Sequence, residues 1–133
     1  MKVYVFGNED LALDSAAINV SKKLKGKIKN VEFVMVDVNQ DLPFKDNENV
    51  VIMDTVLGLE KVSLILDNEL DHLVSNSSLT AHDYDLAFQL KYLKKLGKLG
   101  KVTIIGLPPT GKINYSLIHS NLRKLVAQDM QGS

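Results

Sequence analysis

The stretch VYVFGNEDLALD, residues 3–14, decides the fold. Val3, Tyr4, Val5 and Phe6 run without a polar break, the pattern of a buried strand. Gly7-Asn8 then supplies a turn, and three acids, Glu9, Asp10 and Asp14, stand where the next element begins. That element reads as a helix. Leu13, Ala16, Ala17, Val20 and Leu24 recur at helical spacing, with Asn19, Lys22 and Lys23 on the other side. It ends near Gly26 after a lysine-rich last turn, as the helix dipole prefers.

Outward from this unit, VEFVMV (residues 31–36) reads as a second strand and DVNQDLPFKDNEN (37–49) as a polar loop. VVIM (50–53) is continuous in apolar character, which predicts a third strand buried on both faces. VSLIL (62–66) follows too soon for a helical crossover, so it is expected to pair as an antiparallel or edge strand. In LTAHDYDLAFQLKYLKKLG (79–97), Thr80 and Asp83 form a start like a capping box. Leu86, Leu90 and Leu93 give that helix one apolar face and Phe88, Tyr92 and Leu96 a second, which predicts burial over a wide arc. Gly97 or Gly100 ends it, KVTIIGL (101–107) is the last strand, and Tyr115, Ile118, Leu122, Leu125 and Val126 mark a final amphipathic helix. The order β-α-β-β-β-α-β-α predicts a three-layer α/β sandwich over residues 1–130. Its twisted five-stranded sheet is mostly parallel, with one antiparallel strand and helices on both faces.

Composition narrows the function. The 133 residues suffice for one domain with one core, and 45% hydrophobic with 24% charged residues is an ordinary soluble balance. Lys+Arg and Asp+Glu are equal at 16 each, so charge gives no argument for nucleic acid or a membrane surface. The lysines clustered at helix ends read as solvated termini. With no cysteine there are no disulfides and no thiolate metal sites, which fits a reducing compartment. The first apolar run is ended by Gly and acids, unlike a signal peptide, and no run approaches the roughly 20 residues that span a bilayer. A cytoplasmic location is expected.

Open parallel sheets bind ligands beyond the carboxyl ends of their strands, where strand order reverses. If strands one and three flank that reversal, Asp14 and Asp54 share one mouth. An antiparallel fourth strand brings the start of the 79–97 helix, with His82, to the same end. Two carboxylates and an imidazole with open positions suit a borderline divalent ion such as nickel or zinc. Plain readings compete: Asp14 at the positive end of a helix, Asp54 closing a turn with Gly58, His82 as a polar first-turn residue. His72 reads as a surface loop residue and His119 as a packing residue at the edge of the last helix's apolar face. PPTGK (108–112) lacks the first glycine and the Ser/Thr of a phosphate loop, and Gly7-Asn8 is too short for a dinucleotide fingerprint.

Taken together, these segments resemble the hydrogenase maturation proteases, endopeptidases that trim the C-terminus of the large subunit of nickel–iron hydrogenases. The resemblance runs from Met1 to about Leu125. It is carried by the strand with GNEDLALD, by VVIMDTVLG, by SSLTAHDYDLAFQL and by VTIIGLPP. It implies that Asp14, Asp54 and His82 bind a metal. That metal is nickel already installed in the precursor, with zinc or another divalent cation as a substitute in crystals. It implies a hydrogenase large-subunit precursor as partner, with no nucleic acid and no membrane. The chain departs from the family at LDSAAINV, where a glycine-containing acidic segment is usual, and at DVNQDLPF, where a glycine turn is usual. A catalytically degenerate accessory protein that holds a metal-loaded partner without cutting it is the alternative. A peptidyl-tRNA hydrolase also begins strand-Gly-Asn, but it calls for Pro-Gly after the Asn, a nearby His and a basic groove, whereas Glu9-Asp10 follow here.

Overall fold

Alternation along the third strand sorts the molecule into layers. Strand β3 (Glu48–Thr55) sends Val51 and Met53 to one core cluster and Val50 and Ile52 to the other. Both faces of the strand are therefore covered. The computed structural model describes residues 1–7, 10–36, 42–69 and 81–131. Around β3 stand β1 (Lys2–Val5), β2 (Glu32–Met35), β4 (Ser63–Leu66) and β5 (Leu99–Leu107). Their order is β2-β1-β3-β5-β4. The pairs β1–β2, β1–β3 and β3–β5 are parallel, and β4 runs antiparallel to β5 at the edge. The expected five-stranded mixed sheet is thus present, with the order reversing across β1 and β3.

Helices α1 (Ala16–Leu24) and α3 (Tyr115–Gln131) cover one face through Ala17, Val20, Leu24, Ile118 and Leu122. Helix α2 (Ala81–Lys95) covers the other through Leu86 and Leu90. Its end follows from one residue. Gly97 takes φ +71°, its N–H donates to the Lys94 carbonyl, and the Lys98 N–H donates to the Leu93 carbonyl at 3.0 Å. That is the paired closure of a Schellman motif, which favours glycine because its φ is positive. Gly100, the other candidate stop, lies inside β5. The bottom of α2 is fastened by Lys94, whose Nζ donates to Asp67 and to the Gly100 carbonyl; Asp67 also accepts the Val102 N–H. Lys94 is therefore more than a solvated helix-end cation.

Three expectations are corrected. Strand β3 runs to Thr55, so Asp54 belongs to the strand and does not follow it. The first helix begins at Ala16; residues Ala12–Asp14 form a separate 3-10 turn, so the acidic segment is not continuous α-helix. Helix α2 is not buried over a wide arc: Phe88, Tyr92 and Leu96 are 57%, 59% and 51% exposed. Only the Leu86–Leu90 side reaches the sheet, because one helix on an open sheet can bury a single stripe.

Candidate functional site

The carboxyl ends of β1 and β3 are held in register by backbone. The Phe6 N–H donates to the Met53 carbonyl at 3.0 Å, and Val5 pairs with Met53. Beyond Phe6 the chain must turn sharply, and Gly7 does so at φ +148°. A Cβ on Gly7 would sit 2.7 Å from the Asp14 carbonyl oxygen and 3.5 Å from Ile18. The close approach of these two backbones seats the 3-10 turn, and Asp14 with it, against the end of β1.

The start of α1 is fixed from the neighbouring strand. Ser15 makes no side-chain cap. Instead the buried Ala17 N–H donates to Thr55 Oγ1 at 3.0 Å, so β3 supplies the hydrogen-bond acceptor that a capping side chain usually brings. Thr55 is a functional position that the apolar run VVIM does not mark. The signal was available: in a strand, neighbours point to opposite faces, so a residue beside Asp54 faces α1.

Asp54 faces the other way. It is only 2% exposed and pairs in register with Gly106 of β5. Strand alternation puts it on the α2 side, beyond Ile52 and level with Phe6. Burying a carboxylate at such a place is costly unless hydrogen bonds or a cation offset the loss of water. A Cβ at Gly106 would meet Leu59 Cδ1 at 2.8 Å and Ile65 Cδ1 at 3.2 Å, so those two side-chain ends would have to give way.

His82 lies in the first turn of α2, and its side chain is outside the described ones. Position 82 precedes Leu86 and Leu90 by one and two turns, so the helix stripe that reaches the sheet is the stripe it continues. Asp14 and Asp54 are thus brought to one end of the sheet. Among the described residues, no group of three or more His, Cys, Asp or Glu stands ready to hold a metal. Two carboxylates give hard oxygen donors, and a third donor from α2 would give the mixed set that borderline divalent ions accept. Asn8, Glu9, Thr80 and His72 lie outside the described residues. His119 is half-buried on α3, in a shallow groove with Ser116, Ser120 and Arg123.

Solved structures carry this architecture at full length. An endopeptidase from Escherichia coli superposes with a TM-score of 0.69 at 18% identity, over 99% of this chain and 94% of that one. The hydrogenase maturating endopeptidase HybD from E. coli gives 0.63 at 17% identity, with the same coverage. This chain has the fold of the hydrogenase maturation endopeptidases. The NiFe hydrogenase maturation protease HybD from Thermococcus kodakarensis adds a TM-score of 0.59 at 19% identity, over 98% of this chain and 99% of that one. No protein-family model and no curated protein sequence matches the chain. At such identities the maturation-endopeptidase likeness speaks for the fold.

Proposed function

We propose that the chain is an endopeptidase that removes a C-terminal extension from a hydrogenase large-subunit precursor already loaded with nickel. The observation that carries the reading is Asp54: a carboxylate 2% exposed, at the carboxyl end of β3, on the side of the sheet that α2 covers. An ionisable side chain kept that deep beside a strand-end rim is the kind of group that marks functional sites. The shared fold supports the class of substrate, because two of the similar structures are described as hydrogenase maturation enzymes.

In this reading nickel arrives as part of the substrate. Asp14, Asp54 and His82 would complete its coordination, and the chemistry such an ion would supply is that of a Lewis acid toward a carbonyl or a water. Asp54 is the positioned donor, since it pairs in register with Gly106 of β5. Asp14 is the adjustable one, since it is half-buried on a short 3-10 turn. The chain's own contribution is to hold these groups at a rim that a protein tail can reach.

The accessory-protein alternative rests on the first turn, where no glycine stands between Gly7 and Gly26 and the acidic segment is a 3-10 turn followed by ordinary helix. One experiment separates the two readings. Incubated with a nickel-loaded precursor, the chain should release the C-terminal peptide, seen as a mass loss in the large subunit, and Asp54→Asn should abolish release. Stable binding without cleavage by the wild-type chain would establish the accessory role instead.

A further inference from the structure

The start of α1 leaves one donor that the helix cannot serve. Ala17 is the second residue of α1, so its N–H has no acceptor inside the helix. Ser15, just before the helix, does not cap it; its Oγ donates to the Ala12 carbonyl at 3.1 Å instead. Ala17 is fully buried, so water does not reach that N–H. The acceptor is Thr55 Oγ1 at 3.0 Å, on a residue itself 1% exposed. Thr55 is held in turn by its strand. It pairs with Leu107 of β5, and the next N–H, that of Val56, donates to the Leu107 carbonyl at 2.9 Å. The two candidate carboxylates stand beside this bond in sequence. Asp54 precedes Thr55 in β3, and Asp14 ends the 3-10 turn two residues before α1 begins. On its other side the turn is held at Gly7, where the Asp14 carbonyl occupies the place of a Cβ. The Asp14 backbone is therefore pinned from the end of β1 on one side and from β3 on the other, and what stays adjustable is its side chain.

We propose that Thr55 is a positioning residue for the rim: through the Ala17 N–H it sets the separation of Asp14 from Asp54, and with it how tightly the two carboxylates share one divalent ion. The inference rests on the endopeptidase reading, which supplies the ion. Thr55 acts through Ala17 and not by contact with that ion. Its hydroxyl faces α1 while the neighbouring Asp54 faces α2, so strand alternation gives the two residues separate tasks. Thr55→Val removes the acceptor and leaves β3 and Asp54 in place, because the branched shape is kept and suits a strand. The buried Ala17 N–H, left without its partner, then draws the first turn of α1 toward another acceptor, and Asp14 moves with it. A pair of donors that depends on a set separation loses affinity when its support goes.

The probe is nickel(II) alone, titrated into the full isotope-labelled chain, with binding read from the amide signals of residues 10–18 and 53–56. Thr55→Val should weaken nickel binding about tenfold, whereas Thr55→Ser, which keeps the hydroxyl, should stay within about twofold of the parent chain. Hydrogen exchange at the Ala17 amide reads the bond itself: it should quicken in Thr55→Val and not in Thr55→Ser. If Thr55→Val does not fold, Thr55→Ala, smaller and also without the acceptor, makes the same comparison. A folded Thr55→Val or Thr55→Ala chain that takes nickel as tightly as the parent would overturn the proposal, even if its unfolding midpoint has dropped. So would a Thr55→Ser chain that binds as weakly as Thr55→Val, or a parent chain with no saturable nickel binding at these residues. Precursor cleavage in a chain whose nickel affinity ignores the hydroxyl removes Thr55 from the account and leaves the endopeptidase. Nickel affinity that depends on the hydroxyl, in a chain that cleaves no precursor, does the reverse.

Discussion

Gly7 has space for a hydrogen and nothing larger. Its φ of +148° disfavours any side chain, and the Asp14 carbonyl stands where a Cβ would go. Gly7→Ala should therefore destabilise the chain by about 1–3 kcal/mol and displace Asp14, a change measurable by urea unfolding and by the amide shifts of residues 10–18. Tyr4 offers a second test at this scale. Its hydroxyl donates to Glu48 Oε1 at 2.8 Å, and the Phe44 ring meets its own edge-on at 4.9 Å. Burial, with the Glu48 carboxylate adding to it, pushes the phenol up to about 12. The folded chain thus keeps a proton that the unfolded chain loses near pH 10. Stability from this group is full below pH 10 and falls as pH rises from about 10 to 12, by about 2–3 kcal/mol in all. In Tyr4→Phe that part of the alkaline slope should disappear; an unchanged slope in denaturant titrations at pH 9 to 12 would contradict the assignment.

Among the elements, α2 shows how far a sequence pattern reaches. Its two apolar stripes look alike in the sequence, yet Leu90 is fully buried and Tyr92 is 59% exposed. Leu90→Ala should cost about 2–5 kcal/mol, whereas Tyr92→Ser should stay within about 1 kcal/mol, both read from thermal or urea unfolding. The strands were legible because alternation and apolar runs are local properties: VVIM and KVTIIGL mark buried strands wherever the chain puts them. What escaped were the ends. Thr55 joins β3 because it pairs with Leu107 of β5, and its hydroxyl answers the Ala17 N–H, two partners that no window of sequence contains. The start of α1 slipped from Leu13 to Ala16 because the close approach of Gly7 and Asp14 demands a tighter turn than an α-helix gives.

For the whole molecule, the β2-β1-β3 part of the order β2-β1-β3-β5-β4 was within reach of the sequence, since right-handed crossovers leave few alternatives, whereas the insertion of β5 between β3 and β4 is a long-range pairing that no local pattern encodes. That order brings Asp14 and Asp54 to one rim. Of the candidate site, only the placement of the two carboxylates near strand ends follows from that order, while the imidazole depends on long-range chain path, which local pattern does not encode. No helix among the described residues is long and apolar enough to cross a membrane. The central claim is that Asp14, Asp54 and His82 converge on one divalent ion. Its most direct measurement is anomalous diffraction from a crystal soaked with nickel or cadmium. The account predicts one strong peak within about 2.0–2.6 Å of a carboxylate oxygen from each aspartate and of an imidazole nitrogen of His82. A peak ligated by other residues, with those three side chains turned to different edges of the sheet, would contradict it.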